Sequence, residues 1–223
     1  MFASLGRALR SFFDPALTGT ILKALFLTIV LFVALLAGLE YLLQYLPTLG
    51  APWVNRVLEI LAPVLAVIGL FTVGGPVAAL FASLYLDRVA DAIEAHVYPA
   101  EPKAPGASWS TSLGAGIRLA GVVILVDLLL LPADALAPGV GEIVTLIANG
   151  FLLGREYFEL AALRHLQRGA AEALRKRNPW RIFASGLIIA VLMIVPFANF
   201  VAPLFGAALM VHLYKRLARE EAA

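Results

Sequence analysis

The chain has 223 residues, 61% of them apolar and 14% charged, with a net charge of +2 and a mean hydropathy of +0.91. Soluble domains average about 45–50% apolar and about 25% charged residues, so this composition excludes a water-soluble single domain, a disordered chain and a nucleic-acid binder. It predicts an all-α integral membrane protein folded as a single membrane domain over residues 1–223.

In chain order, Phe2, Leu5, Leu9, Phe12 and Phe13 share a face bordered by Arg7 and Arg10, which predicts an amphipathic interfacial helix over residues 1–16. A short charged start, a compact apolar region and a small-residue cleavage site do not follow in that order, so no cleaved signal peptide is expected. Ala24 to Leu39 and Ile60 to Leu86 are free of charge. With their flanks they predict transmembrane helices over residues 17–46 and 57–86, each reaching the ~20 residues that a ~30 Å hydrocarbon core requires. Pro47, Gly50 and Pro52 mark the turn between them, and Pro76 after Gly74-Gly75 predicts a kink in the second. Glu101 to Ser112, rich in Pro, Gly and Ser, reads as a surface loop.

The later apolar tracts are shorter. Leu119 to Leu131 contains Asp127 and stops at Pro132, and Ile143 to Gly154 ends in Arg155-Glu156. At 1.5 Å per residue such segments reach only ~18–23 Å. Between them Pro132 to Gly139 is a loop by composition. The last tract, Ile182 to Tyr214, is divided by Pro196, Asn199 and Pro203 into halves of about 13 and 12 residues. Residues 118–154 and 182–214 therefore predict two Pro-centred re-entrant helical hairpins, whose tips require burial against another subunit or a pore. Four short ordinary spans are the alternative. Between the hairpins, residues 155–181 predict a basic cytoplasmic helix that Asn178-Pro179 stops. Sixteen of the basic residues fall on one side of this arrangement and Arg56 alone on the other, which places both termini in the cytoplasm.

Chemistry is sparse. Cysteine is absent, excluding disulfides and Cys-ligated metals, and His96, His165 and His212 are too scattered to suggest a metal centre, so no metal or cofactor is expected. No phosphate-binding Gly-rich loop, HExxH motif or acidic cluster of the Asp-Asp-x-x-Asp kind occurs, and no Ser/His pair is evident around Ser185-Gly186, so no enzyme is expected. Thr18, Gly19, Thr20 and Lys23 offer two hydroxyls, a glycine amide and a cation at a helix start, a candidate oxyanion site. An N-cap and a snorkelling lysine are the plainer roles. Asp127 reads as functional or paired, although Arg118 is nine residues away. Asp134 and Glu142 at the first tip would repel an anion. Pro132, Asp134, Pro138, Pro196, Asn199 and Pro203 are the candidate pore-lining or tip residues. Asn199 offers both a donor and an acceptor, or caps the broken helix. Arg155 and Glu156 are candidate vestibule residues, with Arg155 and Glu159 spaced for a helix-face salt bridge.

The order of elements resembles the CysZ family of sulfate permeases, which shares a domain with the eukaryotic etoposide-induced proteins. Three stretches carry the likeness. Gly75-Pro76-Val77-Ala78-Ala79-Leu80 leads to Asp87-Arg88-Val89-Ala90-Asp91, Asn149 to Glu159 follows the first hairpin, and Pro196 to Pro203 forms the second tip. The resemblance implies a bacterial inner-membrane permease or channel that is homo-oligomeric and not ATP-driven. It admits sulfate or a related small oxyanion for cysteine synthesis, with membrane lipids as its surroundings and no nucleic-acid partner. It also implies an arginine pair before the first span that holds the anion. Here Thr18 and Gly19 take those positions and Lys23 is the nearest cation. A non-transporting scaffold, binding lipids or partners through Arg164 to Arg181, is the alternative function.

Overall fold

The computed structural model describes residues 2–43, 87–105, 114, 117, 118, 121–126, 128–130, 139–195 and 198–222. The second predicted span, the kink at Pro76, Asp127, the first hairpin tip with Pro132, Asp134 and Pro138, and Pro196 lie outside the described residues. All secondary structure among the described residues is helical. We number α1 (Phe2–Phe12), α2 (Pro15–Leu43), α3 (helical residues 87–97), α4 (helical residues 121–126 and 128–130), α5 (Val140–Ala162), α6 (Arg168–Arg177), α7 (Pro179–Ile194) and α8 (Ala198–Ala222).

Helix α8 is the centre of the packing and touches α7, α1, α5 and α2. Its residues 202–215 are buried without interruption. The segment Ala198–Glu221 is long and apolar enough to cross a membrane, and 83% of its most apolar stretch is buried inside the protein. Pro203 therefore does not divide the last tract. It sits inside α8, where its missing N–H leaves the Asn199 carbonyl without the usual helical donor. Helix α7 ends at Ile194 and α8 begins at Ala198, so the two arms are 16 and 25 residues long rather than equal halves.

Helices α5 and α7 approach most closely. Gly150 and Gly154 on α5 face Gly186 on α7, and a Cβ on Gly186 would lie well inside 3.0 Å of the Gly150 carbonyl oxygen and the Gly154 backbone. Small residues four apart form a groove that lets two helix backbones meet. Helix α5 also runs on past Gly154, where the sequence reading ended the hairpin arm. Its 23 residues span about 35 Å, because Arg155 pairs with Glu159 one turn later at 3.2 Å and the charges need not end the helix. At its start Gly139 has φ 86, a conformation favouring glycine, and Glu142 accepts the Gly139 N–H as half of a capping box. Glu142 thus caps a helix.

The predicted single basic helix over 155–181 is corrected to the end of α5, a turn at residues 163–167, α6 and the first residues of α7. Asn178-Pro179 ends α6 as the sequence indicates, and α7 leaves at 91° to it. Asn178 Nδ2 donates to Leu174 O at 3.1 Å and closes that corner. Helix α1 ends at Phe12 and buries Ser4, Ala8 and Ser11, leaving Leu9 and Phe13 exposed. The stripe it packs inward is the small one, which fits closely against α8.

Candidate anion-binding site

Helix α2 begins at Pro15, earlier than the sequence reading placed it. Asp14 O accepts from the amides of Leu17 at 3.0 Å and Thr18 at 2.9 Å, and Pro15 at the first position needs no partner for a missing N–H. Thr18 gives its hydroxyl hydrogen to the same Asp14 carbonyl at 2.7 Å. Gly19 lies a turn inside the helix, so its amide is used by the i−4 carbonyl and is not at a free helix end. Thr18 and Gly19 thus serve the helix start.

Thr20 and Lys23 have another setting. They line a cleft of about 280 Å³, together with Arg88 and Asp91 of α3 among the described residues. Two residues of the sequence candidate are joined there by a guanidinium and a carboxylate from a segment more than sixty positions away. Hydroxyl, ammonium and guanidinium groups are all hydrogen-bond donors.

Asp91 connects the cleft to a buried charge cluster. Arg164, its side chain 7% exposed, contacts Asp87 at 2.5 Å, Asp91, and Glu94 at 3.5 Å. His165 Nε2 lies 2.7 Å from Glu94 Oε1 and stacks its ring on Tyr214. From α8, Lys215 Nζ reaches Glu101 at 2.8 Å and Glu94 at 3.8 Å, and Arg219 donates to Glu101 at 2.7 Å. His212, fully buried, lies between Ser11 Oγ at 2.9 Å and Tyr98 Oη at 2.8 Å, tying α1 and the end of α3 to α8. Burial alone would raise the Glu94 carboxyl. The His165 hydrogen bond and the Arg164 and Lys215 charges outweigh it and hold Glu94 below the ordinary carboxylate value. Glu101, raised by its partial burial, is likewise brought below that value by Lys215 and Arg219. Burial would lower Arg164, but its carboxylates raise it instead.

The remaining predicted positions are scattered. Arg155 pairs with Glu159, which Arg175 also contacts at 3.3 Å, and Glu156 accepts from Arg118 at 3.0 Å. Arg118 is therefore engaged with α5. Asn199 is buried near the start of α8, and its Oδ1 has no hydrogen-bond partner among the described residues. Ser185 donates to Arg181 O at 2.9 Å within its own helix. No group of three or more metal-ligating side chains forms among the described residues.

The family described as Sulfate transporter CysZ/Etoposide-induced protein 2.4 matches residues 4–203. The chain belongs to this family. No curated protein matches it in sequence. The CysZ family is membrane-associated and comprises transporters. The CysZ resemblance implied an arginine pair at positions where this chain has Thr18 and Gly19, whereas the cleft carries its guanidinium on α3. Sequence reasoning missed Arg88, Asp91 and the cluster behind them. One signal was present: Asp87, Asp91 and Glu94 follow i, i+4, i+7 and so place three carboxylates on one helix face.

Proposed function

We propose that the chain is a membrane permease that admits sulfate or a related small oxyanion without an ATPase, and that Thr20, Lys23 and Arg88 receive the anion. The observation that carries this reading is the cleft, which brings the candidate Thr20 and Lys23 together with a second cation. Membership of a transporter family supports it. On this reading α2 and residues 57–86 cross the bilayer of a bacterial inner membrane with both termini in the cytoplasm. Large apolar side chains exposed along α2, such as Leu22, Phe26 and Val33, and along α5, such as Ile143 and Phe151, support contact with lipid or with further copies of the chain. The arms α4–α5 and α7–α8 form the two hairpins of a homo-oligomer, and the admitted anion serves cysteine synthesis.

The scaffold reading relied on Arg164 to Arg181 as an open basic surface. Arg164, Arg175, Lys176, Arg177 and Arg181 each contact a carboxylate of the chain itself, which favours the permease. The test is radiolabelled sulfate uptake into proteoliposomes of the purified protein, against vesicles holding an unrelated membrane protein. Saturable uptake blocked by sulfite is the expected result. A folded protein giving no uptake of sulfate or of any competing oxyanion would sink the proposal.

A further inference from the structure

We infer that Asn199 holds ordered water at the tip of the second hairpin, and that this water supplies hydrogens to a passing sulfate. The water follows from the packing of α8, and its role toward sulfate rests on the permease reading of the α7–α8 arms. Asn199 is 5% exposed, and its Oδ1 is buried without a hydrogen-bond partner among the described residues. Its backbone carbonyl would ordinarily accept from the amide four residues on, but that residue is Pro203, which has no N–H. Its own N–H is spent on Val195 O at 3.1 Å, across the break between α7 and α8. One residue thus carries two acceptors and no spare main-chain donor into the protein interior. Buried acceptors require a donor, because leaving them unmatched forfeits their hydration with nothing in return.

The register of α8 puts Asn199 on its inner face. Gly206 lies against α7 and α5, where an added Cβ would stand 2.9 Å from Ile189 and 3.2 Å from Tyr157. Asn199 precedes Gly206 by seven residues, which is about 20° short of two turns and about 10 Å nearer the tip. It therefore faces the same neighbours, while Ile194 and Val195 are exposed beside the break. The ligand must bring hydrogens to oxygen. A bare anion brings only lone pairs, and a cation meets the positive end of the α8 dipole. Water has hydrogens for the two acceptors and lone pairs for the N–H groups that a helix start leaves without intrahelical partners. Carbonyls freed by proline at membrane depth are served in this way. A water held by one acceptor keeps its second hydrogen, so it bridges an acceptor on the protein to an acceptor-only anion. Asn199 is in this sense a positioning residue for the hydration of the anion.

The test has two arms, both on the full chain in lipid. An experimental structure in nanodiscs at about 2 Å resolution should show solvent about 2.7–3.2 Å from Asn199 Oδ1 and from its carbonyl oxygen. A protein donor, or a lipid chain packed against both oxygens, overturns the inference. The second arm is radiolabelled sulfate uptake into proteoliposomes, with thermal melts to establish that each variant folds. Asn199→Leu keeps the approximate volume but cannot hold water, and should lower uptake by about 10-fold, the effect of one lost hydrogen bond. Asn199→Ser keeps a group that binds water and should stay within about threefold of the unaltered protein. Unchanged uptake in the leucine variant overturns the role toward sulfate, as does an equal loss in both folded variants, which a purely structural asparagine would give. If the unaltered protein takes up no sulfate, the permease reading falls, and the solvent on Asn199 still decides whether the tip holds water.

Discussion

His165 Nε2 lies 2.7 Å from Glu94 Oε1, a contact between positions 71 apart that fastens the turn after α5 to the buried face of α3. Glu94 is 6% exposed and also faces Arg164 and Lys215, so its carboxylate balances charges contributed by two other parts of the chain. Removing one partner of a buried charge group strands the others, at a cost of about 3–5 kcal/mol. Glu94→Ala is expected to lower stability by that amount in denaturant titrations of the detergent-solubilised protein. A loss below about 1 kcal/mol, the size of an exposed pair, would show that the cluster is solvated.

Acid should release the same contact. Glu94 and Glu101 are both held below the ordinary carboxylate value of 4.5 in the folded chain. A depressed folded value means that the unfolded chain binds protons first as pH falls. The stabilisation is complete above 4.5 and drains away as pH drops through the lower folded values. The thermal midpoint should therefore fall as the pH drops below about 4.5. Glu94→Gln should flatten that part of the profile, and an unchanged acid slope in this variant would remove Glu94 as a source of it.

Much of the helical layout is legible in local signals. Asn178-Pro179 ends α6, because proline acts on its immediate neighbours, and α7 ends at Ile194. What local signals mislead about is compensation. Arg155-Glu156 suggests a helix end until Glu159 and Arg118 are seen to take the charges, and Pro203 suggests a break although it is carried inside α8, where residues 202–215 are buried without interruption. The site is legible only in part. Thr20 and Lys23 are near neighbours on one helix, whereas Arg88 and Asp91 reach them only through the fold, and nothing in their spacing says which helix they will face. The pattern Gly150-x-x-x-Gly154 was visible as a close-packing signal, but its counterpart Gly186 has no motif around it.

That close approach gives a packing prediction. A methyl on Gly186 would have to enter the Gly150 and Gly154 backbone, which has no flexible end to swing aside, so α5 and α7 must separate. Overpacking of this kind costs about 1–3 kcal/mol or more, and Gly186→Ala should lower the thermal midpoint accordingly. Gly19→Ala is the internal comparison. Nothing lies within 4 Å of a Cβ there, and replacing a helix-interior glycine should raise stability by about 0.5–1 kcal/mol. Because the Gly19 amide is used within α2, anion binding should not change, and a loss of binding would return Gly19 to the site.

The cleft itself makes the most direct demand on Lys23 and Arg88. If both cations receive the same anion, removing either leaves the other to hold it, and each loss should weaken binding by about 10-fold, the size of one charge-assisted hydrogen bond. Arg88→Lys should recover only part of the loss, since an ammonium keeps the charge but not the two-pronged geometry. The double variant Lys23→Ala/Arg88→Ala should differ from the sum of the single effects, because neighbours sharing one ligand are coupled. Isothermal titration of each variant, with thermal melts to establish folding, makes the comparison. Strict additivity with equal loss from Arg10→Ala, a basic residue of α1 outside the cleft lining, would indicate a diffuse surface field rather than a site. Coupling confined to Lys23 and Arg88 would identify the cleft as the place where α2 and α3 grip the anion together.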